Sequence, residues 1–185
     1  MLLGETQASV GRVIWFFGLS GAGKSTLADG VALRLRAVGT PVARLDGDDL
    51  RNGLCQDLGF DPDSRSENLR RAAYVARLMS DAGSTVVSSF VTPFERDRKR
   101  IRDIVGDRLI LVHVATSLEE CERRDPKGLY RRARSGQLPQ FTGISSPFER
   151  SPSADLVLST EGASVGELVD LIATQMRVPE LEFVI

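Results

Sequence analysis

Short apolar runs alternate with longer amphipathic stretches along this chain. Val13-Ile14-Trp15-Phe16-Phe17 is unbroken by polar residues, which predicts a strand buried on both faces. Ser25 to Val38 then reads as a helix, and Gly39-Thr40-Pro41 as a turn. Val42-Ala43-Arg44-Leu45 is a short second strand that delivers Asp46-Gly47-Asp48-Asp49. Residues 50–64 show little periodicity and read mainly as loop, with Gly53, Gly59 and Pro62 as punctuation. From Ser66 to Asp81, Leu69, Ala72, Ala73, Ala76 and Met79 fall on one helical face, and Gly83 is the stop.

Further strands are predicted at Thr85–Val91, Leu109–Val114 and Leu156–Leu158. Between them lie a charged helix over Phe94–Val105, a short one over Leu118–Arg123 broken by Asp125-Pro126, and another at Leu129–Ser135. Val165 to Met176 closes the series, with Ser164 and Glu167 spaced as a capping box. Residues 1–11 read as a loose lead-in. Strands alternating with helices predict an α/β fold of three layers, a five-stranded parallel sheet between helices. Such sheets bind ligands at the carboxyl ends of their strands.

Composition narrows this little. The 185 residues suit one domain over 1–185, and 42% hydrophobic with 26% charged residues is ordinary for a globular chain. A net charge of −1 supplies no field for nucleic acid. No apolar run has membrane-spanning length, and the N-terminus lacks the pattern of a signal peptide. Cys55 and Cys121 stand far apart without metal-ligand spacing, so free thiols in a reducing cytoplasm are expected.

The chemistry starts after the first strand. Gly18-Leu19-Ser20-Gly21-Ala22-Gly23-Lys24-Ser25-Thr26 matches G-x-x-x-x-G-K-[ST], a loop whose amides cradle phosphate oxygens at a helix N-terminus. Lys24 would reach the terminal phosphates, and Ser25 would offer its hydroxyl to Mg²⁺ with Thr26 beside it. Phosphoryl transfer also needs an acid near the γ-phosphate, to hold magnesium through water or to take the acceptor's proton. The third and fourth strands end without one, so Asp46 and Asp48 are the candidates; the competing reading of Asp-Gly-Asp-Asp is a plain surface turn. Arg51 and Arg65 flank the irregular loop and suit anion recognition. Asn68 stands in the same cluster, whereas Arg70, Arg71 and Arg77 read as mostly surface. The basic stretch Arg123–Arg134 reads as part of a lid over roughly 124–150, against the alternative of a solvated helix. Phe60 and Phe141, in Gly-containing polar surroundings, are placed either to stack on a base or to pack in the core. His113 and Trp15 read as core.

Together these segments resemble the adenylylsulfate kinase (APS kinase) family. The resemblance rests on Gly18–Thr26, Asp46–Leu54, Asp57–Phe60, Ser64–Arg71, Arg124-Asp125-Pro126-Lys127-Gly128-Leu129-Tyr130 and Phe141-Thr142-Gly143-Ile144. It covers most of residues 10–150. It implies a nucleoside/nucleotide kinase fold and transfer of the ATP γ-phosphate to the 3′-hydroxyl of adenosine 5′-phosphosulfate, giving PAPS and ADP. It implies ATP binding through Gly18, Ser20, Gly21, Ala22, Gly23, Lys24, Ser25, Thr26 and Arg124, and magnesium at Ser25 and Asp46. Asp46 and Asp48 would share the roles of magnesium-linked acid and base. Arg51, Arg65 and Asn68 would hold the phosphosulfate and ribose side of the acceptor. Phe60 and Phe141 would sandwich its adenine, and Lys127 would act from the lid. A cytoplasmic homodimer is implied, with no nucleic-acid or membrane partner and with ATP sulfurylase activity on a separate protein.

The chain departs from the family pattern at Thr92-Pro93-Phe94-Glu95, where the family commonly has Ser-Pro-Tyr-Arg, and at Pro147-Phe148-Glu149-Arg150-Ser151-Pro152. A negative Glu95 near an anionic acceptor raises a rival reading, a kinase of the same scaffold acting on another modified nucleotide or small acceptor. A second rival, from another class, is a nucleotide-binding regulatory module.

Overall fold

The computed structural model describes residues 11–175; the expected lead-in over 1–11, apart from Gly11, and Met176 lie outside them. Five parallel strands form one sheet in the order β2-β3-β1-β4-β5. They are β1 (Val13–Phe17), β2 (Val42–Asp46), β3 (Thr85–Phe90), β4 (Leu109–Val114) and β5 (Leu156–Leu158). The helices are α1 (Lys24–Ala37), α2 (Gly47–Asn52), α3 (Pro62–Asp81), α4 (Glu95–Val105), α5 (Leu118–Arg124), α6 (Leu129–Arg134) and α7 (Val165–Gln175).

The unbroken apolar run of β1 has its cause here. Ile14 and Phe16 face a core with Leu27, Val31 and Leu35 of α1 and Ile172 of α7. Val13, Trp15 and Phe17 face the opposite core, with Leu69, Ala72 and Ala76 of α3 and Ile101 of α4. Period-two alternation therefore sends apolar side chains into both layers. The capping box at α7 forms as expected, Ser164 N–H donating to Glu167 Oε2 at 2.7 Å and Glu167 N–H to Ser164 Oγ at 3.2 Å.

Residues 50–64 differ from the loop expected of them. Asp46 caps α2 by accepting the Asp48 amide, and α2 is too short to display periodicity. Asp61 caps α3 and Pro62 occupies its first turn, so the proline starts a helix instead of marking a loop. Arg70 and Arg71 are also more than surface. Arg71 donates to Asp57 at 2.7 and 2.8 Å and to Glu67 at 3.0 Å, which fastens the α2–α3 connection to α3. Arg70 pairs with the same Glu67.

His113 and Trp15 are packed as expected. His113 stacks between Phe17, at 4.9 Å, and Phe148, at 5.4 Å, with Nδ1 2.8 Å from Ser151 Oγ. Burial, with Arg98's charge second, pushes its pKa down to about 4. Cys55 and Cys121 are free and buried.

Candidate active site

The phosphate loop leaves β1 at Gly18, where φ is +149° and a Cβ would lie 2.4 Å from the Val114 carbonyl oxygen. Only glycine permits that crossing of β4. Gly23, with φ at 98°, is the N-cap of α1. The first amides of α1 have no intrahelical partner, so they face the space that the loop encloses. Lys24 Nζ donates to Leu19 O at 2.6 Å. Burial lowers its pKa from 10.5 to about 8, with the nearby Cys121 and Asp46 acting in the opposite direction.

The β2–β3 register sets Asp46 beside Ser89. Asp46 Oδ2 accepts from Ser89 Oγ at 2.6 Å and from Ser25 Oγ at 3.0 Å, and Oδ1 accepts the Asp48 amide at 3.0 Å. Burial opposes ionisation of Asp46, but these hydrogen bonds and the charge of Arg44 prevail and hold its carboxyl below the ordinary value. Asp48 stands one residue into α2, exposed, and Lys127 reaches across from the lid to pair with its Oδ2. Sequence reasoning missed Ser89. Its signal was a polar pair, Ser88-Ser89, inside an otherwise apolar strand end.

Arg51 contacts one of the two expected aromatic residues, and Arg65 the residues that flank the other. The Arg51 guanidinium lies 4.3 Å from the Phe60 ring centroid and donates to Gly59 O at 2.9 Å. Phe60 itself is 67% exposed, which excludes core packing for it. Arg65 donates to Thr142 Oγ1 at 2.9 Å and to Gln140 O, the residues on either side of Phe141. Phe141 is half-buried and meets Tyr130 edge-on at 5.1 Å. Burial, then the charge of Arg51, lowers the Arg65 pKa, so the two guanidiniums share one neighbourhood. Asn68 is 5% exposed and its Oδ1 has no hydrogen-bond partner.

Glu95 is paired within the protein. Its carboxylate lies 3.4 Å from Arg98 Nε and accepts from Ser153 Oγ at 3.1 Å. Arg98 is itself fully buried, donating to the Pro93, Glu149 and Arg150 carbonyls. The Glu149 carboxylate accepts the Glu95 amide at 2.7 Å. The two departures from the family pattern thus contact each other. Thr92 is 1% exposed, with φ at 43°, and its hydroxyl accepts from Trp15 Nε1 at 3.0 Å.

The lid's basic run is partly consumed by the protein itself. Arg123 pairs with Glu120, Arg134 with Glu122, and Arg124 with Glu120. Arg124 also donates to Thr160 Oγ1 at 2.7 Å and to Gly21 O at 3.4 Å, which places it against the phosphate loop. Among the described residues no group of three or more His, Cys, Asp or Glu could cage a metal ion. The donor set of Ser25 and Asp46 instead suits magnesium, which takes few protein ligands and keeps waters and phosphate oxygens.

A phosphate loop after β1 and an acid at the end of β2, both at one end of a parallel sheet, define a phosphate-loop kinase. The chain belongs to the adenylylsulphate kinase family, whose model matches residues 10–159. An adenylyl-sulfate kinase of Shewanella amazonensis is 51% identical over 174 residues, covering 91% of this chain and 88% of that protein. The solved Mycobacterium tuberculosis APS kinase, in complex with AMPPNP and APS, is 41% identical with a TM-score of 0.87, covering 90% of this chain and 98% of that one. A hexameric APS kinase from Thiobacillus denitrificans is 26% identical with a TM-score of 0.70, covering 94% of this chain and 30% of that one.

Proposed function

We propose that this chain transfers the γ-phosphate of ATP to the 3′-hydroxyl of adenosine 5′-phosphosulfate, giving PAPS and ADP. The observation that carries the reading is the meeting, at one end of the sheet, of the phosphate loop with Asp46 and of Asp48 with the lid residue Lys127. The likeness to a kinase solved with AMPPNP and APS supports it. Catalysis of this kind is mainly positioning and charge neutralisation. Lys24 and the loop amides hold the β- and γ-phosphates. Ser25 and Asp46 would hold magnesium, and the ion would neutralise phosphate charge. Asp48 takes the proton of the 3′-hydroxyl, because it is the carboxylate whose oxygens the rest of α2 leaves open. Lys127 exchanges Asp48 for the transferring phosphoryl group as the substrates enter.

Arg51, Arg65 and Asn68 bind the phosphosulfate and ribose, and Phe60 and Phe141 stack on the adenine. Phe141→Ala is expected to raise KM for APS by about tenfold or more, since base stacking is worth about 1–3 kcal/mol. KM for ATP should stay within about twofold of the unmodified value; equal effects on both substrates would remove the sandwich role. The rival acceptor loses its main motive, because the charge of Glu95 is taken up by Arg98.

We extend the reading to a single catalytic domain acting in the cytoplasm as a homodimer, with ATP sulfurylase on a separate protein. Among the described residues no helix is long and apolar enough to cross a membrane. Tyr74 and Leu78 on α3, 45% and 67% exposed, offer apolar surface to a second copy. The deciding experiment is turnover of magnesium and ATP with APS and a panel of related nucleotides, with the phosphorylated product identified. APS-dependent PAPS and ADP are expected. ADP formed with another acceptor but not with APS would transfer the activity to that acceptor, and ATP binding without acceptor-dependent ADP would favour a regulatory module.

A further inference from the structure

The carbonyls of the phosphate loop are held from behind, one after another. Leu19 O accepts Lys24 Nζ, Ser20 O accepts the Tyr130 hydroxyl at 2.9 Å, and Gly21 O accepts Arg124. The fourth is bound by two side chains from separate loops. Ala22 O accepts Thr116 Oγ1 and Thr160 Oγ1, each at 3.0 Å. The two threonines follow β4 and β5, and their hydroxyl oxygens are 2.9 Å apart.

Each hydroxyl has one proton to give. Thr160 Oγ1 receives Arg124 Nη1 at 2.7 Å, and Thr116 Oγ1 receives the Thr160 amide at 3.3 Å. Those donors fill acceptor positions and leave both hydroxyl protons free to point at Ala22 O, the contact between the two oxygens then carrying no proton of its own. In a planar trans peptide the carbonyl and the following N–H point in opposite directions. Fixing Ala22 O toward the two threonines therefore aims the Gly23 N–H into the phosphate cavity. The methyl of Thr160 adds a steric limit, since a Cβ on Gly23 would lie 2.9 Å from Thr160 Cγ2.

We propose that Thr116 and Thr160 are positioning residues for ATP: they set the orientation of the Ala22–Gly23 peptide and so the amide that meets phosphate. Thr160 also ties that peptide to Arg124, the last residue of α5, from which the lid continues. The proposal rests on the ATP-dependent reading above and assigns no contact with the acceptor.

The test is direct binding of ATP and of APS, by titration calorimetry, to the full chain and to Thr160→Val, Thr116→Val and Thr160→Ser, with thermal midpoints measured alongside. Valine keeps the shape and removes the hydroxyl. One lost hydrogen bond to a preorganised loop predicts about a tenfold weaker ATP complex in Thr160→Val, with APS binding changed less than about twofold. Thr160→Ser should restore ATP binding because it restores the hydroxyl. If Thr160→Val does not fold, Thr116→Val carries the same comparison. Unchanged ATP affinity in folded valine variants, equal loss for both ligands, or failure of serine to restore binding would each overturn the proposal. An unmodified chain that binds ATP but makes no PAPS would count against the reaction assigned above, and leave this proposal standing.

Discussion

Lys24→Met is expected to lower kcat/KM by about 10²-fold or more, the scale at which loss of one transition-state charge contact is felt. The reason is in the resting site. The ammonium is part-buried with Leu19 O as its hydrogen-bond partner, and desolvation has already lowered its pKa to about 8. Triphosphate binding supplies the opposite charge that this group lacks, so the bound form holds its proton more tightly. A pH dependence follows. Above about pH 8 the free enzyme loses the Lys24 proton, and ATP binding must then recover it. KM for ATP should rise with pH in that range, by up to about tenfold per unit. The stability of the unliganded protein should move the other way. The unfolded chain binds more protons than the folded one between about 8 and the ordinary value of 10.5, so this group's contribution to stability increases with pH across that window. Steady-state kinetics and thermal midpoints from pH 7 to 10, on the unmodified chain and Lys24→Met, test both signs. Near-normal turnover in Lys24→Met would remove the phosphate-loop assignment.

Features encoded within a few neighbouring residues were legible in the sequence. The phosphate loop needs only its own glycines and the helix that follows. Asp46 could be picked out because a strand end in a parallel sheet faces the ligand, and the observed sheet places it there. Features that depend on register or on distant contacts were not legible. Ser89 becomes a partner of Asp46 only through the pairing of β2 with β3. Thr116 and Thr160 lie 94 and 138 residues from the carbonyl they share, and nothing local marks either one. The pairing of Glu95 was not legible either, because it needs the helix that sets Arg98 one turn away. Pro62 reads as loop punctuation, although an Asp before a Pro is also a helix start. Arg71 looked like a solvated helix residue because its partner Asp57 lies outside the helix.

The environments of Asp46 and Asp48 differ, and on the proposed function they would divide the two roles left open at the level of sequence. Both oxygens of Asp46 are engaged, by Ser89, by Ser25 and by the Asp48 amide, and the net effect favours its ionised form. A carboxylate so fixed beside the Ser25 hydroxyl suits the fixed water shell of magnesium and is poorly placed to accept a proton during turnover. Asp46→Asn exchanges an acceptor oxygen for a donor in a cluster built from donors. It is expected to lower kcat by about 10²–10³-fold and to raise the magnesium concentration needed for half-maximal rate. Asp48→Asn is expected to lower kcat by about 10²–10⁴-fold, the range for a lost general base, with the magnesium requirement unchanged. Asp48 is exposed and its side chain pairs with Lys127 across the site, so the substitution leaves the Asp46 cluster intact. Magnesium titrations of kcat at saturating ATP and APS distinguish the two. A shifted magnesium requirement in Asp48→Asn, with none in Asp46→Asn, would reverse the assignment: the strand-end carboxylate would then be the base, and the residue under the lid would hold the metal's water.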